Sequence, residues 1–124
     1  MATEGFPRHV RLLTAGDYKK VFTRPVRSSD RYFTVLARHD ANRETARLGL
    51  AVAKKHVRRA VDRNRIKRLV RESFRRQQAA LKGLDLVVLV KPGIQNADNS
   101  TLSASLQTHW QRLQKQTSYP EHTL

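Results

Sequence analysis

One segment limits the architecture more than any other. From about Val57 to Leu81 the chain reads as a long helix, closed by Gly83, with an apolar back and a cationic front. Ile66, Leu69, Val70, Ser73 and Phe74 follow the i, i+3, i+4, i+7, i+8 spacing of a face that packs on a core. Asn64, Arg68, Arg71 and Arg75 run along the other side, flanked by Arg65 and Lys67. Residues 54–76 hold eleven basic side chains, Lys54, Lys55, Arg58, Arg59 and Arg63 among them, against only Asp62 and Glu72. Like charges at helical spacing destabilise a helix unless something compensates them. The segment therefore needs a hydrophobic layer behind it and a polyanion in front.

The remaining elements can supply that layer. Leu84 to Val90 (LDLVVLV) is so uniformly apolar that it belongs at the centre of a sheet. Upstream, Thr14 caps a short helix over Ala15 to Phe22, with Asp17 as the acidic half of a capping box. Pro25 ends it. Val26 to Ser28 reads as a short edge strand, and Arg31 to Arg38 as a strand with Phe33, Val35 and Ala37 on one face and Tyr32, Thr34 and Leu36 on the other. A polar loop from His39 to Thr45 leads into a returning strand, Arg47 to Ala53. After Pro92 and Gly93, a last helix from about Thr101 to Gln116 carries Leu102, Leu106, Trp110 and Leu113 in one stripe. The length suits one domain, with a core over about residues 6–116 and flexible ends at 1–5 and 117–124.

Composition narrows the function. The chain has 25 basic and 10 acidic side chains, a formal charge of +15, which makes nucleic acid the first candidate partner and an anionic membrane surface the second. The back of the basic helix is needed to cover the sheet, which argues against a membrane-surface role. With no cysteine there is no disulfide framework or thiolate cluster. The opening residues, MATEGFPRHVRLLTAG, lack the apolar run of a signal peptide, and no later segment is long enough to span a bilayer, so a cytoplasmic location is expected. The five histidines are scattered, the carboxylates are dispersed, and neither a glycine-rich phosphate loop nor a nucleophile elbow occurs. No catalytic side chain and no tightly held metal is expected in the chain itself. His56, inside the basic block, is placed to touch a phosphate.

The run AVAKKHVRRAVDRNRIKRLVRESFR, Ala51 to Arg75, closely resembles the signature of the bacterial ribonuclease P protein family, whose centre is an Arg-Asn-Arg motif, here Arg63, Asn64 and Arg65. Arg11-Leu12, Tyr18 and Phe22 match that family's upstream Arg-Leu pair and helix aromatics, so the resemblance spans roughly Phe6 to Trp110. It implies an α+β sandwich of order αβββαβα, with a four-stranded sheet and a left-handed βαβ crossover, a ribosomal protein-like fold. Chirality alone predicts the common right-handed crossover.

The resemblance further implies a division of labour. A large RNA subunit with bound Mg²⁺ removes the 5′ leader of precursor tRNA, and one protein assists each RNA as a monomer. Lys54, Lys55, Arg58, Arg59, Arg63, Asn64, Arg65, Lys67, Arg68, Arg71 and Arg75 would lie against the RNA. Arg11, Tyr18, Phe22, Thr34 and Leu36 would line a cleft for the single-stranded leader. Guanidinium groups suit the first task because their planar forks grip phosphate oxygens, while Asn64 can both donate and accept toward a base edge or 2′-hydroxyl. Aromatics beside a cationic groove suit the second, since unpaired bases stack on them whatever their sequence. On spacing alone Tyr18 and Phe22 read as core, and Leu36, where some members carry an aromatic, cannot stack. A structural RNA-binding protein remains the rival, sharing the charge and the mixed pattern but not the full motif set.

Overall fold

A computed structural model describes Arg11 and residues 14–40 and 45–117 of the 124-residue chain. The expectations for residues 1–5, for Leu12, for most of the polar loop before the third strand and for the tail lie outside the described residues.

The elements follow the order helix α1 (Ala15–Phe22), strands β1 (Val26–Ser29), β2 (Phe33–His39) and β3 (Arg47–Ala51), helix α2 (Ala60–Arg76), strand β4 (Leu84–Val90) and helix α3 (Asn99–Thr117). The four strands form one sheet in the order β1-β2-β4-β3. β1 pairs with β2 and β2 with β4 antiparallel, whereas β3 and β4 run parallel, joined through α2. The apolar run of β4 thus takes a central position, buried on both faces as its composition demands.

Register sorts the side chains into two layers. Phe33, Val35 and Ala37 of β2 stand opposite Val90, Val88 and Leu86 of β4, and with Leu48 of β3 they form the main core beneath α2 and α3. Into it α2 sends Ile66, Val70 and Phe74, and α3 sends Leu102, Leu106, Trp110 and Leu113, all fully or almost fully buried. Trp110 joins the two helices: its ring meets Phe74 edge-on at 6.2 Å and its Nε1–H donates to Ser73 Oγ at 2.8 Å. Tyr32 departs from the expected alternation. It precedes β2, in a turn closed by the Asp30 carboxylate, and packs against the main core.

The second layer is thin. α1 lies on the opposite face, where Val21 meets Leu36 and Val87, with Tyr18 and Leu89 at the margin. Its N-terminus has the expected capping box: Thr14 Oγ1 accepts from the Asp17 amide at 3.0 Å and Asp17 Oδ2 accepts from the Thr14 amide at 3.1 Å. A buried ion pair fastens it to the sheet. Arg47 grips Asp85 with Nε and Nη2 at 3.0 and 2.9 Å, and Nη2 also reaches Asp17 at 3.4 Å. Asp85, the one charge in the apolar run, is thus buried with a partner.

α2 is shorter than the 57–81 stretch that its periodicity suggests. At the front, the Val57 amide turns back to the Ala53 carbonyl and α2 begins only after Arg59; at the rear, separate turns carry the chain from Gln77 to Gly83, which takes φ 83°. A polar cluster pins α3 to the β1–β2 turn. His109 is fully buried, its Nδ1 2.6 Å from Ser28 Oγ and its Nε2 3.2 Å from Asp30 Oδ2, while Ser105 donates to the same carboxylate. Burial lowers the His109 pKa below its ordinary 6.5 despite the raising effect of Asp30. Burial pushes the Asp30 carboxyl up, but the Ser105 hydroxyl and the Phe33 and Tyr32 amides outweigh it and hold it at about 2, against an ordinary 3.8. Both groups bind protons more readily when unfolded, so both contribute stability that acid removes. Melting temperature is expected to fall as the pH drops below about 6.5, through His109, and again below about 4, through Asp30. In thermal melts against pH, His109→Gln should flatten the first limb; an unchanged limb would clear His109 of it.

Candidate nucleic-acid interface

The cationic front and the apolar back of α2 separate as the helical period requires. Asn64, Arg68, Arg71 and Arg75 are exposed and Lys67 half-buried, while Ile66, Val70 and Phe74 are inside. Val61, 59 % exposed, joins the same outer stripe. Arg75 pairs with Glu72 at 2.6 Å, an exposed contact of little energetic weight. Among the described residues Arg68 and Arg71 have no carboxylate within ion-pair distance. Lys54, Lys55, Arg58 and Arg59 are exposed on the loop that brings the chain from β3 into α2.

Within the Arg-Asn-Arg triplet the three side chains divide. Arg63 donates to the Val57 and Arg58 carbonyls at 3.0 and 2.7 Å, so it folds the basic loop onto α2. Arg65 donates to Asn99 Oδ1 at 2.6 Å and to the Gln95 and Ala97 carbonyls at 3.2 and 3.3 Å, fastening α2 to the start of α3. Of the three, only Asn64 is exposed. His56 likewise turns inward, its Nδ1 donating to the Val90 carbonyl at 3.1 Å. These residues shape the surface that their neighbours present.

The second candidate surface is the face of the sheet that carries α1. There, Arg38 donates to the Lys20 carbonyl at 3.0 Å and Arg47 reaches Asp17, so α1 covers the end of the face marked by Arg38, Asp85 and Arg47. Toward the other end, Ser29 and Ala51 are exposed and Leu89 is half-buried. Tyr18 is half-buried with its ring over Gly49; a Cβ at Gly49 would come within 2.6 Å of the ring, so only glycine permits that approach. Phe22, four residues on, shares the helix face of Tyr18 but is 50 % exposed. Arg11 forms a single bridge to Leu48 on the outer edge of β3, beside Gly49.

Two of the expected cleft residues are buried. Leu36 is 5 % exposed, packed with Val21 and Val87, and belongs to the core under α1. Thr34 is 6 % exposed, sunk between its neighbours with its hydroxyl 3.0 Å from Ser29 Oγ. The structure thus brings Tyr18 and Phe22 to this face, with Thr34 and Leu36 as its floor, and leaves Arg11 at the outer edge of β3, paired in register with Leu48 of the other layer. It adds cations that the sequence pattern left unassigned. Arg27 stands opposite Leu36 in register, and Lys91 Nζ donates to Ser29 Oγ at 2.8 Å. Strand pairing alone reveals them, since neither lies in a motif.

Comparison with known proteins agrees with this architecture. Residues 6–114 match the Ribonuclease P family model. The ribonuclease P protein component of Nitrosococcus oceani is 54% identical over 114 residues, covering 92% of this chain and 95% of the relative. That of Haemophilus influenzae is 51% identical over 112 residues, covering 90% and 93%. Among solved structures, a Staphylococcus aureus RNase P protein mutant with defective mRNA degradation activity superposes with a TM-score of 0.78 at 25% identity, over 87% of this chain and 90% of that one. The RNase P protein from Thermotoga maritima gives 0.72 at 32% identity, over 82% and 96%.

Proposed function

The chain belongs to the ribonuclease P protein family, as the protein component of a tRNA-processing endoribonuclease whose catalyst is RNA, and from that premise we propose which of its surfaces does which task. The front of α2, with Asn64, Lys67, Arg68, Arg71, Arg75 and the loop cations Lys54, Lys55, Arg58 and Arg59, lies against the ribonuclease P RNA. Arg63 and Arg65 hold that surface in shape. The more open half of the α1 face receives the single-stranded 5′ leader of precursor tRNA. One protein serves each RNA, and the complex works in the cytoplasm; among the described residues no helix is long and apolar enough to cross a membrane.

The observation that carries this reading is the split of α2. One side sends Ile66, Val70 and Phe74 into the core, and the other holds a row of guanidinium groups, of which Arg68 and Arg71 have no carboxylate partner among the described residues, whose mutual repulsion a polyanion relieves. Phe22 carries the leader assignment. Phe22, an aromatic half exposed on the helix that covers one end of a sheet face carrying Arg27 and, toward its other end, Lys91, has the makings of a stacking platform in a cationic groove. Mg²⁺ stays with the RNA in this proposal. The metal assists phosphodiester hydrolysis there, and this chain binds and orients.

Cleavage of precursor tRNA at low Mg²⁺ by a bacterial ribonuclease P RNA tests the assignment. Adding the protein should restore cleavage, and the protein alone should be inert; an RNA-binding protein that never helps would point to the structural RNA-binding rival. In a binding assay on the same complex, Phe22→Ala should weaken binding of precursor tRNA by about 1–3 kcal/mol, the usual worth of one stacked base, and leave mature tRNA unaffected. Equal losses for both ligands would return Phe22 to a purely structural role.

A further inference from the structure

A groove of about 480 Å³ separates α2 from α3 on the side away from the sheet. Arg65, Arg68 and Arg76 line its α2 wall, with Glu72 as the one acid. Ser103 and Gln107 stand on the α3 wall, both exposed, and Leu69 and Ala104 give the groove apolar surface. None of the α3 residues belongs to the basic block.

We propose that this groove is a second seat for the ribonuclease P RNA and takes one ribose-phosphate strand between α2 and α3. The proposal rests on the reading of α2 as an RNA-facing helix and extends that interface onto α3. Three features of the groove argue for such a strand. Its charge is uncompensated, because Glu72 is drawn to Arg75, leaving Arg68 and Arg76 without a carboxylate partner among the described residues. Guanidinium forks left in that state are matched to phosphate oxygens. The opposite wall is neutral but polar: the Ser103 hydroxyl and Gln107 amide can donate and accept, as recognition of a 2′-hydroxyl requires. Leu69 and Ala104 offer the apolar contact on which a sugar face can rest. The rigidity of the groove is also accounted for. Trp110 clamps the two helices through Ser73 and Phe74, and Arg65 ties the start of α3 to α2.

Charge reversal on α3 separates this seat from the α2 front. Ser103→Glu/Gln107→Glu in the full chain should lower affinity for ribonuclease P RNA by roughly tenfold, through like-charge repulsion of the strand. Arg76→Ala should flatten the plot of log affinity against log salt by about 0.7–0.9, the counterion release of one phosphate contact. Thr108→Glu, a single added charge on an exposed position of the other flank of α3, should leave affinity unchanged. Thermal melts of each variant confirm that the fold is retained. If the Ser103/Gln107 variant binds like the parent chain while Arg68→Glu/Arg71→Glu does not, the groove proposal falls and the reading of the α2 front stands. If neither weakens binding, both fall. A loss with Thr108→Glu of about threefold, half that of the doubly charged groove variant on a log scale, would also overturn the groove, since the effect would then be one of net charge.

Discussion

Arg68→Glu/Arg71→Glu binds ribonuclease P RNA at least about 100-fold more weakly than the parent chain and melts at nearly the same temperature. The estimate follows from two lost contacts, each worth about 1.5–3 kcal/mol when a charged group is involved, before repulsion by the new carboxylates is added. Stability is spared because both side chains are exposed and lack a carboxylate partner among the described residues, and such surface positions usually change stability by less than about 0.5 kcal/mol. The salt dependence should change with the affinity, its slope falling by about 0.7–0.9 for each phosphate contact removed. Filter binding at several salt concentrations measures both quantities. Unchanged affinity with an intact melt would remove the front of α2 from the RNA interface. The same pair replaced by lysine should lie between, since a point charge keeps the attraction but loses the planar fork.

Trp110→Ala is the corresponding loss on the structural side. Trp110 is 1 % exposed and touches both helices of the main layer, so truncation leaves a cavity and should cost about 3–5 kcal/mol. Set against the ~5–15 kcal/mol that folds an ordinary domain, this brings the chain close to unfolding at working temperature. Trp110→Phe keeps the ring against Phe74 but strands the Ser73 hydroxyl, and should cost only about 1–3 kcal/mol. Because RNA binds the folded chain, adding ribonuclease P RNA should raise the melting temperature of both variants. Denaturant titration gives the two free energies. A Trp110→Ala chain as stable as the parent would mean that α3 docks independently of the indole.

Both predictions trace back to periodicity, which is where the sequence was most informative. The buried stripe of α2, the Leu102-Leu106-Trp110-Leu113 stripe of α3, the capping box at Thr14 and Asp17, and the central place of Leu84 to Val90 all appear in the structure where residue spacing put them. Each depends on neighbours within a turn or two, or on a whole strand being apolar, and local chemistry settles such features. The ends of α2 were less legible. The Val57 amide turns back to Ala53, and the helix gives way to separate turns after Arg76, while the side-chain pattern alone would have continued.

The candidate site divides along the same line. By itself the sequence determined that one helix face had to be cationic and its back apolar, and that aromatics four apart at Tyr18 and Phe22 shared a face. It could not distinguish Arg63 and Arg65 from Arg68 and Arg71, because a guanidinium group is committed only by what lies within reach. Asn99 and the Gln95 and Ala97 carbonyls come near Arg65 only when α3 docks on α2. Nor could it assign Leu36 and Thr34 to the floor of the cleft and Phe22 to its rim. That depends on where α1 crosses the sheet, and the crossing is set by Arg47 with Asp85 and Asp17 and by the glycine under Tyr18, contacts between strands and a helix distant in the chain. Period and propensity act along the chain, whereas register and docking act across it, so only the tertiary structure decided which of the many cations remain free to meet a phosphate.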